Sequence, residues 1–98
     1  MERYSSRTID ELGRLVLHTE LRKLLNLETG DTVTMLVVEN IIILRRVNEG
    51  LEQGLATSKV DELGRVVIPV EIRNVLGCQA KDKLAVYLTG NIIILKSA

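Results

Sequence analysis

Few residues in this chain offer reactive chemistry. His18 is its only histidine and Cys78 its only cysteine. A cluster of His or thiolate metal ligands therefore lacks material, and so does a Ser–His–Asp triad. No internal disulfide can form. The sequence assigns no catalytic residue, no metal ligand and no cofactor, and it reads as a protein that is not an enzyme. What remains are guanidinium and ammonium groups. They only donate hydrogen bonds, and the arginine fork matches phosphate oxygens or the edge of guanine. Thirteen basic residues balance thirteen acidic ones, so the formal net charge is zero. Bulk attraction to a polyanion or a membrane surface is excluded, but a basic face is not. Trp and Phe are absent, and Tyr4 and Tyr87 are the only aromatics. Stacking platforms for single-stranded nucleic acid are thus largely missing.

The basic residues recur at a fixed spacing. Arg14 ends the block Asp10-Glu11-Leu12-Gly13-Arg14, and Arg65 ends the same block, Asp61-Glu62-Leu63-Gly64-Arg65. Sliding the chain along itself by 51 residues lays Arg7–Val47 over Ser58–Ala98 without a gap, and 15 of the 41 pairs are identical. Asn40-Ile41-Ile42-Ile43-Leu44 recurs as Asn91-Ile92-Ile93-Ile94-Leu95. These offsets divide the chain into a first repeat at 1–47, a linker at 48–57 carrying Gly50 and Gly54, and a second repeat at 58–98. About forty residues are too few to fold alone without staples. The two repeats are expected to share one core, with a true dimer of chains as the alternative.

Each repeat reads as strand, strand, short helix, strand, strand. Gly13 and Gly64 suit positive φ in a turn. Arg14–Leu17 and Arg65–Ile68 carry aliphatic strand patterns. Pro69 fits the first turn of a helix whose apolar stripe is Ile72, Val75 and Leu76, ended by Gly77. Its counterpart carries Leu21, Leu24 and Leu25 and ends near Asn26. Val33, Met35 and Val37 alternate, as do Leu84, Val86 and Leu88. The two Asn-Ile-Ile-Ile-Leu runs follow hairpin turns at Glu39-Asn40 and Gly90-Asn91 and should be buried on nearly both faces. With no Phe or Trp the core must be aliphatic. Cys78 reads as a small core hydrophobe, and Tyr87, in the place of Leu36, as an outer or interface position.

The 13-residue block from Asp61 to Arg73 closely resembles the signature of the AbrB/MazE/SpoVT family, and Asp10 to Arg22 resembles it with changes. The resemblance implies a mainly β fold with two short helices: a swapped-hairpin β-barrel, here formed by two tandem β-β-α-β-β repeats as a pseudo-dimer within one chain. It also implies a DNA-binding module. Carried over position by position, the DNA-contacting places fall on Arg7, Arg14, Arg22 and Lys23 in the first repeat and on Lys59, Arg65, Arg73 and Asn74 in the second. Arg22 and Lys23 lie off the apolar stripe and are expected to reach solvent. His18 stands where the second repeat has Pro69, and Ser58 where the first has Arg7.

The expected function is a transcriptional regulator or nucleoid-associated protein that binds double-stranded DNA through a basic face. Two alternatives stand beside it. One is an antitoxin-like regulator with a toxin partner, disfavoured because the chain stops at Ala98, three residues after Leu95. The other is a barrel that serves only structure or oligomerisation. No apolar run approaches the roughly 20 residues that span a bilayer, and Met1-Glu2-Arg3-Tyr4 opens no signal peptide. A cytoplasmic, nucleoid location is expected, with no membrane partner and a monomeric pseudo-dimer. Neutrality overall then requires a polarised surface, with the acids gathered away from the basic face.

Overall fold

The hydrophobic pattern repeats, and so do the strands that bury it. A computed structural model describes residues 3–47 and 56–98. In the first repeat lie β1 (Arg3–Thr8), β2 (Arg14–Val16), α1 (Thr19–Leu24), β3 (Thr32–Val38) and β4 (Ile41–Arg46). The second repeat supplies β5 (Ala56–Lys59), β6 (Arg65–Val67), α2 (Val70–Leu76), β7 (Lys83–Thr89) and β8 (Ile92–Ser97). β5 starts at Ala56, two residues inside the stretch expected to be linker; the rest of that linker lies outside the described residues.

Two antiparallel sheets form. One has six strands in the order β1-β7-β8-β4-β3-β5, and the other pairs β2 with β6. The hairpins β3–β4 and β7–β8 are local, and every other pairing joins one repeat to the other. The first strand of each repeat lies along the hairpin of its twin, β1 on β7 and β5 on β3. Residues that are copies of each other meet face to face, Leu15 with Val66 and Ile43 with Ile94. An approximate two-fold axis therefore passes through the β2–β6 ribbon at one end and the β4–β8 seam at the other.

The core between the sheets is aliphatic, as composition required. Leu15, Leu17, Met35, Ile42, Leu44, Val66, Ile68, Leu84, Ile93 and Leu95 are all at or near zero exposure. Each such side chain contributes about 1.5–3 kcal/mol by leaving water. Both repeats feed this one cluster, so neither holds a core of its own. Cys78 is buried within it, and burial pushes its thiol pKa up, which disfavours the reactive thiolate.

The helices depart from expectation in detail. Leu21 and Leu25 are buried, and so is Ile72, with Leu76 packed beside it. Leu24 and Val75, expected in the same stripe, are 67% and 55% exposed. Such short helices meet the barrel along one line, and positions i and i+4 fill it while i+3 swings to the rim. Pro69 is the N-cap of α2 at φ −59 rather than its first-turn residue, and Gly77 closes the helix in the left-handed conformation at φ 66. Among the described residues no helix is long and apolar enough to cross a membrane.

Candidate nucleic-acid interface

The β2–β6 ribbon offers two faces. Leu15 and Val66 point into the core at zero exposure. Arg14 pairs with Val67 and Val16 with Arg65, so these four side chains share the outer face. Arg14 and Arg65 are diagonal neighbours across the axis, at a backbone separation of about 7–8 Å. Each turn before the ribbon is built by its aspartate. The Leu12 and Arg14 backbone N–H groups donate to Asp10 Oδ1 at 2.9 and 2.8 Å, and Leu63 and Arg65 do the same to Asp61 Oδ1 at the same distances.

The second carboxylate oxygen grips the arginine. Arg14 Nε donates to Asp10 Oδ2 at 2.6 Å, and Arg65 Nε to Asp61 Oδ2 at 2.6 Å. These contacts correct the expectation of a polarised surface. Acids are interleaved with the basic groups, because the same aspartates are needed to fold the turns. The face therefore has little bulk potential. Its value lies in orientation: Nε is held, and among the described residues nothing binds the two Nη groups of either arginine.

The backbone N–H of Arg14, foremost, holds the Asp10 carboxyl below its ordinary pKa of 3.8, and that of Arg65 does so for Asp61. A carboxyl lowered in the folded state stabilises the fold fully above 3.8 and loses that contribution as pH falls through the lower folded value. Thermal melts from pH 7 to pH 2 should show stability falling in that acid window. The D10N/D61N variant should be less stable at pH 7 and should lack that part of the fall; an unchanged acid profile would contradict the role given to the two turns.

Arg22 and Arg73 belong to the helices but lie on the opposite repeat's turn. Arg22 Nε donates to the Leu17 carbonyl at 3.0 Å, and Arg73 Nε to the Ile68 carbonyl at 2.8 Å. Their guanidinium groups cover Gly64 and Gly13, so closely that a Cβ there would stand 2.5 Å from Arg22 Cζ or 2.9 Å from Arg73 Cζ. Both glycines also hold positive φ, 77 and 78. The Leu17 and Ile68 backbone N–H groups donate to the Gly64 and Gly13 carbonyls at 2.9 and 2.8 Å. Each half-surface is thus a composite of one repeat's turn and the other's helix. Arg22 is correspondingly half-buried and braced, not simply extended into solvent as expected, whereas Lys23 is exposed.

The remaining expected residues divide unevenly. Arg7 Nη2 donates to His18 Nδ1 at 2.6 Å, and both line a groove of about 350 Å³ with Arg22, Val16 and Leu63. Lys59 and Arg65 line a hollow of about 610 Å³ on the other side of Leu63. Ser58 Oγ instead accepts from the Val67 backbone N–H at 2.9 Å. Asn74 is exposed, one residue past Arg73. Sequence reasoning missed four apolar residues of this surface: Leu12 and Leu63, 67% and 65% exposed, and Val16 and Val67. The signal was available, since a leucine in a polar turn recurs unchanged in both copies.

Residues 57–98 match the family model of MazE, described as antidote-toxin recognition, bacterial antitoxin. The chain is 60% identical over 38 residues to the transition state regulatory protein AbrB of Bacillus subtilis, covering 39% of this chain and 40% of AbrB. It is 50% identical over 38 residues to the putative transition state regulator Abh of the same organism, covering 39% and 41%. The match thus spans about two fifths of the length of these curated relatives. The solution structure of PHS018 from Pyrococcus horikoshii superposes with a TM-score of 0.56 at 27% identity, covering 97% of this chain and 90% of that one. The two curated relatives are named a regulatory protein and a putative regulator, and the matched domain model is that of a bacterial antitoxin.

Proposed function

With residues 57–98 forming a domain of the AbrB/MazE type, we propose that the protein is a transcriptional regulator or nucleoid-associated protein that binds duplex DNA with the outer face of its β2–β6 ribbon. The observation that carries this reading is the pair Arg14 and Arg65. They sit across the approximate two-fold axis, each clamped at Nε by its own turn and partly exposed, with side-chain exposures of 31% for Arg14 and 24% for Arg65. Arg22, Arg73, Arg7, Lys23, Lys59 and Asn74 extend the surface to either side. In this reading the repeats at 1–47 and 58–98 act as two halves of one barrel, so a single chain supplies both halves of the surface in the cytoplasm.

The interleaved aspartates make the binding contact-driven and moderate in strength. The test is titration with duplex DNA at several salt concentrations. Log affinity should fall linearly with log salt, with a slope of about −0.9 for each phosphate neutralised. A folded chain that shows no binding at low salt would leave only a structural barrel. The MazE match favours a second reading, an antitoxin that also holds a toxin. It predicts that the product of a neighbouring gene co-purifies with the chain in a fixed ratio; purification without such a product counts against it.

A further inference from the structure

The two half-surfaces agree closely where the turns are built. Asp10 and Asp61, Gly13 and Gly64, Arg14 and Arg65, and Arg22 and Arg73 match in kind, and the aspartate clamps match in length at 2.6 Å. The agreement fails at four basic or neighbouring positions: Arg7 against Ser58, Thr8 against Lys59, His18 against Pro69, and Lys23 against Asn74.

Because each half-surface combines a turn of one repeat with a helix of the other, these four differences add on one side. Around Leu63 stand Arg7, His18 and Arg22 in the groove, and Lys59 and Arg65 in the adjoining hollow. Lys23 follows Arg22 on the same helix. The equivalent places around Leu12 hold Ser58, Pro69, Arg73, Thr8, Arg14 and Asn74. Ser58 is engaged by the Val67 backbone, and the Pro69 side chain neither donates nor accepts. One side therefore offers five cationic groups and the other two.

Resting on the reading that this face binds DNA, we infer that the chain recognises a non-palindromic duplex site, with the Leu63 side as its strong half. A homodimer presents two identical surfaces and is matched by an inverted repeat. A single chain carrying both copies is released from that constraint. Arg14 and Arg65 address equivalent positions on either side of the axis. Arg7, Lys23 and Lys59 then add donors in one half-site only, and Arg7 is fixed in place through His18.

The test is selection from a randomised duplex library with the full chain, followed by hydroxyl-radical footprinting of the enriched sequences. The expected result is a motif without inverted symmetry and protection that extends further on one side. Giving the strong side the residues of the weak one, R7S with K59T, should shift the selected motif toward an inverted repeat and reduce the salt slope by about 1.8. The exposed K59T alone should lower the slope by about half that amount, which keeps the test open should loss of Arg7 harm the fold. An inverted-repeat motif from the natural chain, or a pool with no enriched motif, overturns the inference and leaves DNA binding standing. A chain that retains no duplex at all overturns the DNA reading itself, and this inference with it.

Discussion

Changing Arg14 and Arg65 together to Ala is expected to lower duplex affinity by roughly 30-fold to 20,000-fold, because well-placed arginine contacts to DNA contribute about 1–3 kcal/mol each. The fold should survive. The aspartate pairs are partly exposed, with side-chain exposures of 31% and 37% for Arg14 and Asp10, and such solvent-screened pairs contribute little to stability. The two backbone N–H groups bound to each aspartate remain in the variant. Circular dichroism should therefore be unchanged while the binding isotherm collapses. The R14K/R65K variant separates two modes of contact. Lysine keeps the charge but loses the planar fork, so contacts to phosphate should largely persist and bidentate contacts to base edges should not. Full affinity in the double alanine variant would remove the observation on which the functional reading rests.

Gly64→Ala should be a damaging substitution for its small size, because Gly64 is buried beneath the Arg22 guanidinium. An L-residue at φ 77 costs about 1–2 kcal/mol. The added methyl also displaces the Arg22 guanidinium, which loses its bonds to the Leu17 carbonyl and the Thr19 hydroxyl, worth about 0.5–1.5 kcal/mol each. A total loss of about 2–5 kcal/mol lowers the melting temperature of a domain this size by roughly 8–40 °C. Gly30→Ala is the control. Gly30 holds φ 89 with nothing within 4 Å of an added Cβ, so it bears only the backbone cost. Gly64→Ala should also weaken DNA binding at temperatures where both variants are folded, because Arg22 leaves its place. Equal losses in the two variants would show that the arginine over the glycine contributes nothing.

Much of this architecture could be read from the chain before any coordinates. A 51-residue offset, two D-E-L-G-R blocks and two I-I-I-L runs were enough to expect paired repeats with one aliphatic core. Positive φ at Gly13, Gly64 and Gly77, and hairpin turns at Glu39 and Gly90, follow from turn chemistry that acts over a few residues. The surface was less legible, for a physical reason. Which side chains share it depends on contacts between repeats, and local spacing does not encode them. Arg22 looked like an ordinary exposed helix residue until the turn of the other repeat was placed beneath it. Val75 and Leu24 fit an apolar stripe by periodicity, but the barrel touches the helix on too narrow a line to cover them. The pairing of Asp10 with Arg14 and of Asp61 with Arg65 depends on the fold of each turn, which the spacing alone does not show.

The strand exchange described for β1 with β7 and β5 with β3 occurs within one chain. Its consequence is insulation. Where two chains must trade strands to close a barrel, any related chain in the cell competes for the vacancy, and a defective copy can poison a sound one. Here the hairpin of each repeat already holds the other's first strand. A protein acting as the single-chain barrel proposed above is not titrated into mixed assemblies by its own relatives, and a damaged copy spoils only itself. The two halves are also free to diverge, since neither has to remain complementary to an identical twin.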